Sequence, residues 1–201
     1  MRIYSIKPKF QKLLEPDMRL FIKWKISPTA INVAALLISI IAGISIYFSS
    51  INLQLLWTVP IFAFVRTALN ALDGMVARKT KAKNQKFGEV LNEFIDRLSD
   101  IAIFLGVAFA SYVNTALGLG TLVAILLVSY IGIVGKAAGG KRQYTGLMGK
   151  ADRMFWLAVA SVAILVFGKL EIMNWFLWFV IIFCIITVFM RYSAIKKELY
   201  R

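Results

Sequence analysis

The sequence has no histidine and only one cysteine, Cys184. These absences exclude imidazole metal sites, Ser/His/Asp triads and a disulfide-stapled scaffold. Charged residues are also scarce, at 17% against 60% hydrophobic residues, whereas soluble domains carry about a quarter charged residues. Mean hydropathy is +0.75. The composition therefore indicates a membrane protein in which any catalysis rests on carboxylates, lysines or bound cations.

Long uncharged runs predict the fold class. Residues 30–48 contain no charge over 19 residues, close to the ~20 that cross a bilayer core. Five comparable stretches follow at 55–77, 101–113 (extended back by a helical segment from 88), 117–134, 154–167 and 173–190. We therefore expect an all-α, polytopic protein with six transmembrane helices.

Acidic residues are the scarcer charge, with 10 Asp and Glu against 24 Lys and Arg. Nearly all the basic residues lie in the N-terminal segment, the second-to-third and fourth-to-fifth connections, and the C-terminus, while the opposite loops contain only Lys169. Short cytoplasmic loops are enriched in Lys and Arg. The distribution predicts a multi-pass protein of the cell membrane with both termini cytoplasmic. Its positive charge is interpreted as attraction to anionic lipid and not to nucleic acid.

The first 27 residues alternate apolar and basic side chains at helical spacing, with Pro16 marking a break or kink. This pattern is typical of a helix lying in the membrane interface. The predicted organisation is an interfacial amphipathic helix over 1–27 and one six-helix membrane domain over 28–201. An anchor without chemistry and a direct role in holding substrate both fit residues 1–27.

Acidic residues concentrate in one 28-residue window that covers parts of two predicted spans. They are Asp73, Glu89, Glu93, Asp96 and Asp100. At 100° per residue the last four fall, with Asn92, within an arc of about 100°. Arg66, Asn70 and Asp73 share a stripe on the preceding helix. Two polar stripes of this kind predict a polar cavity between the helices, because carboxylates at membrane depth need a partner.

Two interpretations of this cavity stay open. Oxygen ligands without His or Cys select hard cations such as Mg²⁺, Mn²⁺ or Ca²⁺, and the basic connection 78–86 at the rim can hold a polyanion such as a phosphate. Alternatively, Arg66 and Arg97 neutralise the acids in a salt-bridge network that serves folding alone.

The same segment resembles the CDP-alcohol phosphotransferase signature, D-x2-D-G-x2-A-R-x8-G-x3-D-x3-D. The chain reads Asn70-Ala-Leu-Asp73-Gly74-Met-Val-Ala77-Arg78, nine residues, then Gly88-Glu-Val-Leu-Asn92-Glu-Phe-Ile-Asp96. The run Ile-Ser-Pro28-Thr-Ala-Ile-Asn32 before the first span, and the expected six spans, are also similar to that family.

The resemblance implies roles by position. Asp73 and Asp96 would bind divalent cation, Mg²⁺ or Mn²⁺, with Asp96 also the general base. Gly74, Ala77, Arg78 and Gly88 would form the nucleotide site. A homodimer is implied as well.

Two departures from the signature concern the metal. Asn70 and Asn92 stand where the first and third aspartates are expected. Amide oxygens still ligate hard cations, so both stay candidate ligands, although two negative charges are lost. Glu93 and Asp100 lie on the same arc, and we expect one of them to compensate.

The implied reaction is attack by a hydroxyl on the β-phosphorus of a CDP-linked lipid, either CDP-diacylglycerol or an ether-lipid analogue, with release of CMP. The fourth-to-fifth connection is rich in glycine and basic residues, and its Gly149-Lys-Ala-Asp-Arg153 run is similar to that of family members with phosphorylated acceptors. Lys136, Arg142, Lys150 and Arg153 are therefore the candidate contacts to a small hydroxyl acceptor such as glycerol 3-phosphate or inositol phosphate.

Other interpretations of these residues stay open. The four cations are equally typical of a cytoplasmic loop whose charge only orients the protein in the membrane. The two asparagines fit a non-catalytic CDP-lipid-binding homologue or a scaffold. A transferase that moves phosphocholine or phosphoethanolamine onto diacylglycerol is the remaining alternative, and it would need no basic acceptor loop.

Overall fold

The computed structural model describes residues 7–80 and 85–200. Residues 1–6 of the predicted N-terminal helix and 81–84 of the basic connection lie outside the described residues. The described part is helical without strands, and a 3-10 turn, Leu53–Trp57, leads into the fourth of its α-helices. The α-helices are α1 Lys7–Leu13, α2 Glu15–Lys23, α3 Pro28–Phe48, α4 Thr58–Lys79, α5 Gln85–Ala108, α6 Thr115–Ala137, α7 Lys150–Phe167 and α8 Glu171–Leu199.

Local sequence signals set several helix ends. Ser27 caps α3 by accepting a hydrogen bond from the Ala30 N–H, and Pro28 occupies the first turn, where proline lacks only a donor that would be unpaired anyway. Asn114 caps α6 by accepting from the Leu117 N–H. Gly168 ends α7 in the left-handed conformation, at φ +67°, which glycine adopts without a steric penalty.

Among the described residues, four helices are long and apolar enough to cross a membrane. They are Pro28–Phe48, Leu53–Lys79, Thr115–Ala137 and Glu171–Leu199. The α5 helix has sufficient length but carries the acidic face and two cations, Lys86 and Arg97. The α7 helix has only 18 residues and begins with Lys150, Asp152 and Arg153. Hydropathy therefore supports four of the six predicted spans among the described residues. That α5 and α7 also cross the membrane stays a prediction.

The bundle positions the site through close helix contacts. The α3 helix packs against α4 and α5, α6 packs against α5 and α8, and α7 lies between α4 and α8. Gly43 and Gly106 allow α3 and α5 to cross with their backbones in contact. A Cβ placed at Gly106 would lie 2.1 Å from the Gly43 carbonyl oxygen, closer than any side chain tolerates. This crossing brings the polar face of α5 against the helices that carry Asn32 and Asp73.

Polar contacts identify the two ends of the bundle. At one end Ser49 and the Tyr112 hydroxyl are 2.7 Å apart, and Asn174 donates to the Tyr112 carbonyl at 3.0 Å. Burial raises the pKa of the Tyr112 phenol, and its hydrogen bond with Ser49 partly opposes that shift. At the other end ion pairs join α5 to α6, to the α6–α7 connection and to α7. The described basic connections therefore gather at one end, as the charge distribution predicts.

The N-terminal segment forms two short helices and not one, and α2 begins beside Pro16, where a break was expected. Leu14 is buried together with Leu72, Met75 and Val76 of α4. Part of the apolar face thus packs on the bundle beside Asp73, while Leu13 and Trp24 remain exposed. The interfacial location of this segment stays a prediction.

Candidate active site

Asp73 of α4 and Asp96 of α5 come together at the basic end of the bundle. Both side chains are buried, and they lie close enough to interact electrostatically. The Lys150 ammonium contacts Asp96 Oδ1 and also lies near Asp73. Three helices therefore each contribute one charged group. The two polar stripes predict the meeting of Asp73 and Asp96, whereas the contact of Lys150 with Asp96 was not predicted.

Asp100, one turn deeper on α5, is held by two buried arginines. Arg66 donates to its Oδ1 at 3.0 Å and Arg153 to its Oδ2 at 2.8 Å. The three side chains are no more than 1% exposed. Each carboxylate oxygen therefore binds a separate guanidinium, and Arg97 also lies 3.6 Å from Asp100 Oδ2. The arrangement is the salt-bridge network foreseen with Arg66 and Arg97, with Arg153 as a further partner.

The outer part of the acidic face is also paired. Lys136 of α6 binds Glu89 at 2.6 Å. Arg142, in the connection after α6, contacts Glu93 and lies over the Tyr144 ring, 4.9 Å from its centroid. Together with the pairs at Asp96 and Asp100, these contacts form what we call the ion-pair ladder. Its rungs, from rim to interior, are Lys136–Glu89, Arg142–Glu93, Lys150–Asp96 and Arg153–Asp100.

The donor set fits a hard divalent cation. Within the described ranges, no three acidic side chains gather closely enough to hold one ion, because asparagine stands at two signature positions while Glu93 and Asp100 face arginines. The amide oxygens of Asn32 and Asn92 are nevertheless buried without a hydrogen-bond donor. A buried carbonyl oxygen of this kind needs a partner, and an ion is one such partner. Asn70 is half-buried, one turn before Asp73 on α4.

The candidate nucleotide residues lie at the exposed end of α4 and in the first turn of α5. The Arg78 side chain folds back over Gly74, so that a Cβ at Gly74 would lie 3.3 Å from Arg78 Nη1. Ala77 is half-buried, and Arg78 and Gly88 are exposed. The Asp73 carboxylate accepts a 2.6 Å hydrogen bond from the Gly74 N–H. A small residue at 74 thus lets a guanidinium approach the backbone beside Asp73.

Helix α8 fixes the connection between α6 and α7, which carries Arg142. The Thr187 hydroxyl accepts hydrogen bonds from the N–H groups of Leu147 and Met148, each at 3.0 Å. Nearer the C-terminus, Glu198 accepts from the Lys141 N–H at 2.8 Å and from the Gln143 amide. The connection is therefore a tethered segment rather than a free loop.

Sequence reasoning missed two site residues. Asn32 is 5% exposed and its side chain interacts with the Asp73 carboxylate. Arg191 is buried and donates to the Val128 and Thr145 carbonyls, near Arg153 and Arg142. The available signal was the same for both, since each is a polar residue placed just inside the end of an apolar run.

Comparison with known proteins identifies the family of this chain. The family model for CDP-alcohol phosphatidyltransferase matches residues 25–186. The chain is 32% identical to the inner membrane protein YnbA of Escherichia coli over 197 residues, which cover 98% of this chain and 94% of that protein. It is 31% identical to an archaetidylinositol phosphate synthase of Pyrococcus horikoshii over 158 residues, covering 79% and 81%.

The fold is also similar to crystal structures of the Mycobacterium tuberculosis phosphatidylinositol phosphate synthase. The form with CDP-DAG bound superposes with a TM-score of 0.75 at 19% identity, covering 91% of this chain and 93% of that one. The form in complex with manganese and citrate gives 0.76 at 20% identity, covering 91% and 88%. At 19% and 20% identity these similarities establish the fold only.

The chain belongs to the CDP-alcohol phosphatidyltransferase family. It is thereby a member of a family of phospholipid-biosynthetic transferases, for which dependence on divalent metal is general. An all-helical membrane protein with a buried carboxylate pair and a basic rim is consistent with that membership.

Proposed function

We propose that this protein transfers a phosphatidyl group, or its ether-lipid equivalent, from a CDP-linked lipid to the hydroxyl of a phosphorylated alcohol such as inositol phosphate or glycerol 3-phosphate. CMP is the second product, and Mg²⁺ or Mn²⁺ is the cofactor. The observation that carries the proposal is the meeting of Asp73 and Asp96, from different helices, beside the cations of the α6–α7 segment.

The donor is supported by the position of the site. Asp73 lies near the basic end of a membrane-embedded bundle, with Arg78 folded over Gly74 one turn further out. In the proposal Arg78 binds the diphosphate and Gly74, Ala77 and Gly88 admit the nucleotide. The acyl or ether chains stay in lipid. One structural relative has CDP-DAG bound, which supports this donor class.

Asp73 and Asp96 would hold the divalent ion, with the amide oxygens of Asn70 and Asn92 as further candidate ligands. When bound, the ion would neutralise the charge of the diphosphate and the charge that develops on the departing CMP. Glu93 and Asp100 keep a secondary place in the proposal, because metal binding by either must displace an arginine.

The chain's own groups perform the rest of the transfer. Asp96 accepts the proton of the attacking hydroxyl, and Lys150 orients the Asp96 carboxylate through their contact. A bond forms between the acceptor oxygen and the β-phosphorus while the bond from that phosphorus to the CMP oxygen breaks. CMP leaves with the electron pair of the broken bond.

A phosphorylated acceptor is favoured by the excess of positive charge around the ladder. In the described part of the chain, the cations here outnumber the acids they face, since Arg66, Arg97 and Arg191 add to the four ladder cations. A phosphate monoester brings about two negative charges and binds guanidinium groups through paired hydrogen bonds. Relatives of this chain include synthases of archaetidylinositol phosphate and phosphatidylinositol phosphate.

The test is turnover by the purified protein in detergent or nanodiscs. CDP-diacylglycerol and a CDP-ether lipid are each combined with Mg²⁺ or Mn²⁺ and with inositol phosphate, glycerol 3-phosphate, inositol or serine, CDP-choline and CDP-ethanolamine are combined with diacylglycerol, and products are read by mass spectrometry. We expect CMP and a phosphodiester lipid from a phosphorylated acceptor. A preference for serine or inositol, or transfer onto diacylglycerol, would contradict the acceptor assignment.

The second candidate is a homologue that binds CDP-lipid without turnover. The pairing of every ladder acid with a cation and the two asparagines favour it. Tight binding of CDP-diacylglycerol with no CMP release under any combination of acceptor and metal would establish this function instead.

The homodimer and the cytoplasmic location of both termini are part of the proposal. Cross-linking in native membranes tests the homodimer, and protease or thiol accessibility tests the location of the termini.

A further inference from the structure

Asn32 lies outside the aspartate signature, at the end of the Ile26-to-Asn32 run that is also similar to the family. It lies in the second turn of α3, on a different helix from the signature residues, and its side chain is 5% exposed. Its amide group interacts with the Asp73 carboxylate. A carboxylate accepts hydrogen bonds and donates none, so the amide nitrogen is the half of Asn32 that suits Asp73.

The other half of the Asn32 amide has no partner. Its Oδ1 atom is buried and receives no hydrogen bond from the described residues. Ser39, seven residues further along the same helix, is buried too, yet its hydroxyl is satisfied by the Ala35 carbonyl at 2.7 Å. The unpaired oxygen is therefore specific to the position beside Asp73 and is not a general feature of polar groups on α3.

The charge of the site indicates which partner this oxygen takes. Asp73 and Asp96 supply negative charge for a divalent cation, while Lys150 contacts Asp96 and offsets part of that charge, and a neutral oxygen completes the ligand set without adding buried negative charge. An asparagine carbonyl oxygen is a neutral ligand that Mg²⁺ and Mn²⁺ accept.

We infer that Asn32 Oδ1 is a direct ligand of the divalent cation held by Asp73 and Asp96, supplying an oxygen from α3 where the chain has lost carboxylates at positions 70 and 92. The inference rests on the metal site of the proposed function. In this arrangement Asn32 joins Asp73 through its nitrogen and the ion through its oxygen.

Direct binding of Mn²⁺ tests the inference without turnover. The full chain in detergent is titrated with Mn²⁺ and free ion is measured by electron paramagnetic resonance. Asn32→Ala removes the oxygen, and we expect it to raise the Kd for Mn²⁺ at least about tenfold. Asn32→Asp keeps an oxygen and adds a charge, so it should bind at least as tightly as the unmodified chain. Ser39→Ala, the matched control on the same helix, should leave the Kd unchanged.

The outcomes separate the inference from the proposed function. If the unmodified chain binds Mn²⁺ and Asp73→Asn abolishes binding, the metal site stands, and an unchanged Kd in Asn32→Ala then overturns the role of Asn32. Weak binding by both Asn32 variants also overturns it, because Asn32 would then act only as the donor that holds Asp73. If the unmodified chain binds no Mn²⁺, the metal site itself is wrong.

Should Asn32→Ala fail to fold, Asn32→Asp decides the question. Weak Mn²⁺ binding by that variant contradicts ligation by residue 32, and tight binding supports it.

Discussion

Arg153 of α7 donates a 2.8 Å hydrogen bond to Asp100 of α5, and the two side chains are buried together. The sequence favoured different roles for them, with Arg153 holding the acceptor and Asp100 compensating for a lost metal ligand. In the structure each side chain is instead a buried counter-ion of the other. Removing either one leaves a buried charge without its partner, so the effects of such variants include folding as well as catalysis.

Asp100→Asn should therefore destabilise the bundle. Loss of the carboxylate charge leaves Arg66 and Arg153 buried without a counter-ion, which typically costs about 3–5 kcal/mol. The exposed Arg19–Glu15 pair, 3.8 Å apart, is the control, and Glu15→Gln should cost less than about 1 kcal/mol. Denaturant unfolding in mixed micelles measures both. Equal stability of Asp100→Asn and the unmodified chain would show that the triad contributes nothing to folding.

Asp73→Asn and Asp96→Asn should each reduce CMP release by at least about a hundredfold, since a metal ligand is lost in one and a ligand and base in the other. Excess chelator should abolish activity in the unmodified protein. Asp17→Asn, on the exposed face of α2, is the control and should retain full activity. The assignment fails if either site variant turns over at the normal rate, or if chelator has no effect.

Arg142 provides a cleaner test of the acceptor site than the buried Arg153. Its side chain is 30% exposed, so its removal perturbs folding less. Arg142→Ala should raise the KM for the phosphorylated acceptor by roughly tenfold or more, as loss of a charge-assisted hydrogen bond does, with little change in the KM for the CDP-lipid. Arg78→Ala should show the opposite pattern. If both variants raise the same KM, the division into acceptor and nucleotide sites is wrong.

Thr187 should control acceptor binding through the α6–α7 connection. Thr187→Val keeps the side-chain shape but leaves the Leu147 and Met148 N–H groups without their acceptor, so the connection shifts and the acceptor KM rises several-fold. Thr187→Ser retains the hydroxyl and should restore normal kinetics. Initial rates over a matrix of the two substrate concentrations distinguish this outcome from a general loss of folded protein, which would lower kcat alone.

Gly106→Ala should weaken the bundle by forcing α3 and α5 apart, because the added Cβ would lie 2.1 Å from the Gly43 carbonyl oxygen. Gly120→Ala is the matched control on α6, where a Cβ meets nothing within 4 Å, and it should be neutral or stabilising through its higher helix propensity. Thermal unfolding of the two variants measures the difference. A Gly106→Ala protein as stable as Gly120→Ala would mean that the crossing relaxes without cost.

The sequence alone determined the helical, membrane-embedded class of this protein, its basic end and the segments that carry the candidate site. Hydropathy and helical period are local properties, so uncharged runs predict helices, and a common arc predicts that the acidic residues of α5 share a face. The resemblance to the family rested on a similarly local motif, Asn70 to Asp96, and the match of the family model to residues 25–186 confirmed it.

Only the tertiary structure decided which groups meet. Spacing on one helix placed Asp96 and Asp100 on one arc, but it did not show that Asp100 faces Arg66 and Arg153 while Asp96 faces Lys150 and lies near Asp73. Those partners come from helices more than 20 residues away in sequence. Asn32 illustrates the same limit, because an isolated asparagine in an apolar run gives no sign of the carboxylate that it meets on another helix. Partner choice across a bundle depends on helix crossings such as the one at Gly43 and Gly106, and no local pattern encodes the geometry of a crossing.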